Sequence, residues 1–268
     1  MIAPAGSCDR FMICVMLCRN CLDCGGRLAQ TSKHLDELFG ENDMIAGLVV
    51  AGGKSERMGP QADKAFLSLG TQPVLAYSML AFENCTDIDT IILVVRKDRL
   101  SAARGLVQLY GCSKVTKVLP GGSRRQDSVC NGLAEMDEEV TIVAVHDGAR
   151  PCVTPQLISE TIKSAKRYGS GVAAAKITDT VKEVPKGMVV SKTIDRAHLW
   201  AVQTPQTFKK ELLEQGYAAA NKKRLTVTDE ASAVELVHKG IRLVPSSWRN
   251  IKITVPEDLA IATSLLDV

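Results

Sequence analysis

The sequence predicts an α/β fold, a doubly wound and mostly parallel sheet from which a β-hairpin arm protrudes. Three observations support this prediction. From Met44 onward, short apolar runs of strand type alternate with amphipathic stretches of helix length, the βαβ rhythm of a parallel sheet. The 268 residues, 46% of them hydrophobic, suffice for one large domain. A segment rich in β-branched residues around Pro185 interrupts the alternation.

The first half of the domain supplies the clearest strands and helices. The predicted strands are Ile45–Val50, Ile91–Val95, Val115–Leu119 and Thr141–Val145. The predicted crossover helices are Val74–Phe82, Arg99–Tyr110, Arg124–Met136 and Pro155–Tyr168. Because βαβ crossovers are right-handed, we expect these helices to cover both faces of the sheet.

The second half contains the predicted arm. The apolar run Gly171–Ile177 leads into Asp179–Asp195, where β-branched residues flank Pro185-Lys-Gly187, so we place a hairpin arm at about 178–196. Such a hairpin has too little apolar surface to be stable alone, so it packs on the sheet or reaches a second subunit. The elements predicted after it are a helix Phe208–Ala220, a helix Asp229–His238, a strand Ile241–Val244 and a helix Pro256–Leu266.

Residues 1–43 form a head that differs from the rest of the chain. The head contains Cys8, Cys14, Cys18, Cys21 and Cys24 and shows no sustained strand or helix period. We predict that it is a disordered extension, or upstream sequence included through an early start codon. Its last three cysteines could supply part of a zinc site, but a fourth ligand at matching spacing is not evident.

Charge and cysteine usage exclude several functional classes. The 33 basic and 30 acidic residues are interleaved, so no block forms a nucleic-acid or membrane footprint. No apolar run approaches the roughly 18 residues of a spanning helix. The cysteines outside the head are scattered singly, as in reduced cytosolic proteins. We therefore expect a cytoplasmic protein that binds neither nucleic acid nor membranes.

The loop after the first strand has the composition of a triphosphate site. Gly52 and Gly53 follow an apolar strand, at the sheet edge where open α/β folds bind ligands, and their N–H groups can approach an anion closely. Arg57 and Lys64 add cations for polyphosphate oxygens. The glycine spacing matches neither the dinucleotide-binding nor the Walker pattern, which argues against hydride transfer and P-loop hydrolysis. The alternative is a glycine turn that has a structural role only and binds no ligand.

Four segments form a set in chain order. They are Ala51-Gly-Gly with Arg57 and Lys64, Gly121-Gly122 with Arg125 to Val129, His146-Asp-Gly-Ala-Arg-Pro151, and Thr228-Asp-Glu-Ala-Ser-Ala233. Together they resemble the 2-C-methyl-D-erythritol 4-phosphate cytidylyltransferase family. The resemblance covers about residues 44–268. It implies a Rossmann-like nucleotidyltransferase fold and a Mg²⁺-dependent transfer of CMP from CTP to methylerythritol phosphate. The products are 4-diphosphocytidyl-2-C-methyl-D-erythritol and pyrophosphate, in non-mevalonate isoprenoid synthesis, and the enzyme is usually a homodimer.

The resemblance also implies roles for individual residues. The implied catalytic residues are Arg57, Lys64, Arg196 and Lys252. The implied CTP-binding residues are Ala51, Gly52, Gly53, Gly122 and Ser128. The implied residues of the alcohol-phosphate pocket are Asp147, Arg150, Thr180, Thr204 and Thr228. Asp147 is also the candidate Mg²⁺ ligand, and Thr180 and Arg196, in the arm, would act in the neighbouring subunit's site.

Two positions depart from the family pattern, and several alternatives stay open. Asp63 precedes Lys64 where the family commonly has proline, and Ser123 stands where an acidic residue is frequent. The Asp147 segment could be a turn with Arg150 paired locally, and Thr228-Asp229 could cap a helix. The alternative functions are ribitol-5-phosphate cytidylyltransferase and a non-catalytic nucleotide-binding protein.

Overall fold

A computed structural model of the chain describes residues 43–53 and 63–268, and the fold is built from these residues. The predictions for residues 1–42, including the partial zinc site, lie outside the described residues. The same holds for Arg57.

The described strands and helices follow the predicted alternation. In chain order the strands are β1 (Met44–Ala51), β2 (Ser68–Leu69), β3 (Gln72–Pro73), β4 (Thr90–Val95), β5 (Val115–Pro120), β6 (Val140–Asp147), β7 (Ser170–Lys176), β8 (Val181–Glu183), β9 (Lys192–Ile194), β10 (Trp200–Lys209) and β11 (Leu243–Pro245). The α-helices are α1 (Val74–Glu83), α2 (Leu100–Leu109), α3 (Arg125–Ala134), α4 (Pro155–Tyr168), α5 (Lys210–Lys222), α6 (Glu230–Val234) and α7 (Glu257–Leu266). A 3₁₀ turn, Lys97–Arg99, precedes α2. None of the helices in the described ranges is long and apolar enough to cross a membrane.

The main sheet has seven strands in the order β11-β7-β10-β6-β1-β4-β5. Strand β10 runs antiparallel to both of its neighbours, and the other pairs are parallel, which confirms a mostly parallel sheet. In the register of β1 with β6, Val50 lies opposite Asp147. The carboxyl ends of these two central strands therefore meet at one edge of the sheet.

Helices cover both faces of the sheet, as predicted. Helices α1, α2 and α4 contribute to one apolar core, and α3, α5 and α6 contribute to the other. On each face of the sheet, a glycine allows a helix to pack closely against β1. A Cβ at Gly47 would lie 2.5 Å from the ring of Phe82 on α1, and one at Gly132 on α3 would lie 2.4 Å from Leu48. Larger residues at these two positions would push the helices away from β1.

Helix α4 begins and ends where the sequence predicts. Thr154 accepts a hydrogen bond from the N–H of Leu157 at 3.2 Å, and Pro155 occupies the first helical turn. Gly169, at φ +80°, ends the helix in the left-handed conformation that glycine adopts most easily.

Two predicted helices differ from the structure. The segment Trp200–Lys209 is strand β10, so the helix predicted from Phe208 begins only at Lys210. Phe208 is fully buried between Val143 on β6 and Ser170 on β7, and this pairing on both sides favours the strand. The helix predicted to reach His238 ends at Val234.

The predicted arm is present as an antiparallel hairpin of β8 and β9. Val181 pairs with Ile194, and the Arg196 guanidinium donates a hydrogen bond to the carbonyl oxygen of Thr178 at the base. The connecting segment carries apolar side chains into solvent, with Met188 95% and Val189 74% exposed. Within this chain, the tip of the arm therefore has an uncovered apolar surface.

Candidate active site

A cleft opens at the edge where β1 and β6 end. The residues lining the cleft are Val50, Ala51, Gly52, Gly53, Asp63, Lys64, Ala65, Arg125, Asp147, Ala149 and Lys252. Four segments of the sequence meet there: the glycine loop with Lys64, the segment of Arg125, the Asp147 segment and the segment of Lys252. The resemblance implies Lys64 and Lys252 as catalytic residues of this chain's own site. Both of these described residues line the cleft.

Asp147 lies between two cations at the end of β6. Its Oδ1 accepts a hydrogen bond from Nε of Arg125 at 2.8 Å, and its Oδ2 accepts one from Nζ of Lys252 at 2.6 Å. Burial raises the pKa of Asp147, but the positive charges of Arg125 and Lys252 lower it by more than burial raises it. The pKa therefore lies well below its usual value. The carboxylate stays ionised at neutral pH and holds both cations at the cleft wall.

Arg125 also binds a second, fully buried carboxylate. Its two terminal nitrogens donate to Glu230 at 2.6 and 3.0 Å, and the Tyr217 hydroxyl donates to the same carboxylate at 2.9 Å. Burial lowers the pKa of Arg125, and Glu230 and Asp147 raise it to above its usual value. Neither Arg125 nor Glu230 was predicted from the sequence to have a role. Both lie in the segments that carry the resemblance, but their pairing spans 105 positions and is visible only in the fold.

The glycine segments lie against the start of α3. The N–H of Gly122 donates to Oγ of Ser128 at 3.1 Å, and Ser128 is buried. A Cβ at Gly122 would lie 2.4 Å from Cβ of Asp127, and one at Gly52 would lie 3.1 Å from Oγ of Ser128. Gly122 therefore has no space for a side chain and Gly52 has little, and the cleft wall at Gly52 and Gly53 is backbone.

A buried network lies behind Asp147. Oγ1 of Thr204 accepts the Asp147 N–H at 3.0 Å and lies 3.0 Å from Nδ1 of His146. Burial lowers the pKa of His146 to about 3, so the ring is neutral. Arg150 donates to the Asn250 carbonyl oxygen at 2.7 Å, while its buried Nε has no hydrogen-bond partner among the described residues. Thr204 thus supports the backbone of Asp147, and Arg150 links this segment to the backbone of Asn250.

The other predicted site residues lie apart from the cleft of their own chain. Thr180 and Arg196 are exposed in the arm, and Thr228 is exposed just before α6. Asp229 caps α6, because its side chain accepts the N–H of Ser232 at 3.0 Å. Helix capping, one of the alternatives left open for this segment, is therefore confirmed for Asp229.

The described residues do not form a metal cage. No group of three or more His, Cys, Asp or Glu side chains in the described part of the chain is placed to hold a metal ion. Both oxygens of Asp147 contact Arg125 or Lys252. Mg²⁺ takes oxygen ligands and usually retains substrate phosphates and waters in its coordination shell. The side chains that the structure describes therefore fit a magnesium ion that enters with a triphosphate, and by themselves they do not form a site for one.

Comparison with known proteins connects the cleft to one family. Residues 45–268 match the family described as IspD, 2-C-methyl-D-erythritol 4-phosphate cytidylyltransferase. The chain is 38% identical over 225 residues to the protein of that name from Pelotomaculum thermopropionicum, covering 84% of this chain and 94% of the relative. It is 41% identical over 225 residues to that of Dehalococcoides mccartyi, covering 84% and 97%.

A solved structure has the same fold. The crystal structure of 4-diphosphocytidyl-2C-methyl-D-erythritol synthase from Anaerococcus prevotii superposes with a TM-score of 0.73 at 28% identity, covering 84% of this chain and 99% of the other. The match to the family starts at Ile45 and ends at Val268, so it includes all residues that line the cleft.

Proposed function

The chain belongs to the 2-C-methyl-D-erythritol 4-phosphate cytidylyltransferase family, and we propose that the cleft around Asp147 is where it carries out the family's reaction. The enzyme transfers CMP from CTP to 2-C-methyl-D-erythritol 4-phosphate in isoprenoid precursor synthesis. The products are 4-diphosphocytidyl-2-C-methyl-D-erythritol and pyrophosphate. The comparisons favour this acceptor over ribitol 5-phosphate.

One observation carries the assignment of the site. Lys64 and Lys252 line the same cleft as the bare backbone of Gly52 and Gly53, and Lys252 is held 2.6 Å from Asp147. A glycine wall accepts a nucleotide, and cations from opposite ends of the domain can neutralise two phosphate groups that must approach each other. The cleft therefore has the charge distribution that the transfer of a phosphate-linked group requires.

The reaction needs charge neutralisation more than proton transfer. An oxygen of the acceptor phosphate, already ionised at neutral pH, attacks the α-phosphorus of CTP, and the bond from that phosphorus to the α–β bridging oxygen breaks. No side chain has to remove a proton from the nucleophile. The barrier lies in joining two anions and in the charge that develops on the leaving pyrophosphate.

Two of the proposed catalytic cations bind the triphosphate, and the other two bind the acceptor phosphate. Arg57 and Lys64 neutralise the triphosphate as pyrophosphate leaves, and Lys252 and Arg196 hold the acceptor phosphate in line with the α-phosphorus. Asp147 fixes Lys252 and Arg125 before substrates arrive, so little reorganisation is needed during the reaction.

The remaining predicted residues bind the two substrates. Ala51, Gly52, Gly53, Gly122 and Ser128 hold cytosine and ribose, and at Gly52 and Gly122 a side chain would press against Ser128 or Asp127. Asp147, Arg150, Thr180, Thr204 and Thr228 form the acceptor pocket. Thr204 acts through the Asp147 backbone, and Arg150 holds this segment to the Asn250 carbonyl oxygen behind the pocket.

Magnesium is the proposed cofactor. Bound to the triphosphate, the ion would neutralise charge on the phosphate oxygens during transfer. Asp147 is the proposed protein ligand, through either of the oxygens that Arg125 and Lys252 contact.

The proposed assembly is a homodimer in which the arm reaches the neighbouring subunit's site. The exposed Met188 and Val189 support this proposal, because they leave an apolar surface at the arm tip uncovered within one chain. Thr180 and Arg196 lie in the arm and line no part of their own chain's cleft among the described residues. The proposed location is the cytoplasm, supported by the unpaired thiols of Cys85, Cys112, Cys130 and Cys152.

A pyrophosphate-release assay tests the function. We expect release with CTP and methylerythritol phosphate, and much slower release with ribitol 5-phosphate or with ATP, GTP or UTP. CTP binding without release from any pair would instead support a non-catalytic nucleotide-binding protein. Faster release with ribitol 5-phosphate would reassign the acceptor.

A further inference from the structure

Asp63 is a buried carboxylate beside the catalytic lysine. It lines the cleft immediately before Lys64, and its side chain is only 2% exposed. Its Oδ1 accepts the N–H of Ala65 at 3.3 Å, and its backbone oxygen accepts the N–H of Phe66 at 2.9 Å. These two hydrogen bonds close a turn over residues 63–66, so they fix the backbone that carries Lys64.

Two arginines from the end of β4 face the other oxygen of Asp63. Nε of Arg99 lies 3.4 Å from Oδ2, and Nε of Arg96 lies 4.0 Å from it. The Arg99 guanidinium also lies 5.7 Å from the ring centroid of Phe66. Arg99 therefore contacts both ends of the turn and ties it to the sheet edge.

The pairing between Asp63 and Arg99 is electrostatic and poorly hydrogen-bonded. Within the described ranges, neither Oδ2 of Asp63 nor Nε of Arg99 has a hydrogen-bond partner. Burial raises the pKa of Asp63, which means that its ionised form is held in the fold at a cost. A buried ion pair of this kind contributes little to the stability of the fold. Local arrangements that cost folding free energy are found most often at functional sites.

Resting on the proposed function, we infer that Asp63 is a positioning residue for Lys64. The Asp63–Arg99 pair holds the turn 63–66 against the end of β4, and this directs Lys64 at the triphosphate. The carboxylate touches neither reacting atom and acts only through the neighbouring lysine.

Charge-removing substitutions test the inference. Asp63→Asn keeps the size of the side chain and an acceptor for the Ala65 N–H, and Arg99→Gln removes the other half of the pair. The matched control is Asp137→Asn, because Asp137 is an exposed carboxylate that pairs with Lys117 and does not line the cleft. The measurements are kcat, KM for each substrate and the thermal midpoint.

We expect Asp63→Asn and Arg99→Gln each to lower kcat by roughly tenfold, on the scale of misplacing one catalytic group. The KM for methylerythritol phosphate should stay unchanged, as should kcat of the Asp137→Asn control. The thermal midpoint of Asp63→Asn should stay equal or rise, because a desolvated charge is removed and the Arg99 side chain, 37% exposed, remains solvated. A fall in the midpoint together with a rise in both KM values would indicate a purely structural role and overturn the inference.

A double-mutant cycle with Lys64→Ala gives the decisive readout. If Asp63 acts through Lys64, adding Asp63→Asn to the Lys64→Ala variant should leave its residual kcat unchanged. Additive losses, or wild-type kcat in the single Asp63→Asn variant, would overturn the inference and leave the proposed function intact. Absence of pyrophosphate release from the wild-type enzyme would overturn the proposed function, and the inference with it.

Discussion

Nζ of Lys252 lies 2.6 Å from Oδ2 of Asp147, although 105 positions of sequence separate the two residues. This contact joins the end of a central strand to the last segment before the C-terminal helix. It gives Lys252 a fixed position at the cleft before any substrate binds.

Lys252→Ala should lower kcat by roughly 10² to 10³, the scale for losing one preorganised donor in a transition state. The fold should persist, because Asp147 keeps its ion pair with Arg125. Steady-state kinetics would check this, with the exposed Lys117→Ala variant as the control of unchanged rate. A Lys252→Ala rate within twofold of wild type would contradict the assigned role.

Glu230→Gln should lower the free energy of unfolding by about 3 to 5 kcal/mol, the scale for breaking a buried ion pair, because the remaining partner of Arg125, Asp147, is shared with Lys252. The carboxylate is fully buried and binds both Arg125 and Tyr217. Urea denaturation measures the loss. Asp137→Asn, which breaks an exposed pair with Lys117, should cost no more than about 1 kcal/mol. Equal losses in the two variants would refute the importance of the buried network.

His146 should make stability fall as the pH is lowered from about 6.5 toward about 3. Burial lowers the pKa of His146 from 6.5 to about 3 in the fold, so in this window the unfolded chain binds a proton that the folded chain does not. Thermal midpoints measured across the window should decline less steeply in His146→Asn. The paired Asp147 adds a loss only below about pH 4, where an unfolded aspartate becomes protonated. Identical slopes in the variant and the wild type would show that His146 is not the source.

Gly122→Ala should weaken CTP binding by at least tenfold, because the new methyl group would lie 2.4 Å from Cβ of Asp127 and must displace the cleft wall. Isothermal titration calorimetry measures the affinity. Gly105→Ala on α2, where a Cβ meets nothing within 4 Å, is the matched control and should bind CTP normally. Wild-type affinity in Gly122→Ala would remove Gly122 from the nucleotide site.

Mixing inactive Lys64→Ala and Arg196→Ala subunits should restore about a quarter of the wild-type activity if the arm crosses to the partner. Random exchange makes half of the dimers mixed, and each mixed dimer has one intact site. The activity of the mixture is compared with that of each variant alone. Absence of recovery despite verified subunit exchange would place Arg196 in the site of its own chain.

The sequence predicts elements well where local signals and burial agree. Helix α4 is bounded by a threonine cap, a proline and a glycine, and its predicted ends agree with the structure. Strand β10 was missed because Pro205 and its polar neighbours do not resemble a strand, although pairing on both sides makes this segment central to the sheet.

The candidate site was predictable only in part. The glycine loop, Asp147 and Lys252 each carry a motif, and the fold brings them together. The partners of Arg125 and Asp63 could not be predicted, because Glu230 and Arg99 reach them only through packing of distant segments. Long-range ion pairs leave no local period in a sequence.

In the proposed reaction, an acceptor phosphate oxygen attacks the α-phosphorus of CTP in this cleft. The most direct test uses methylerythritol phosphate with ¹⁸O in the non-bridging phosphate oxygens, unlabelled CTP and mass spectrometry of both products. We predict that all of the label stays in the cytidine diphosphate alcohol and that the pyrophosphate is unlabelled. Label in the pyrophosphate, or absence of the diphosphate product, would contradict the account.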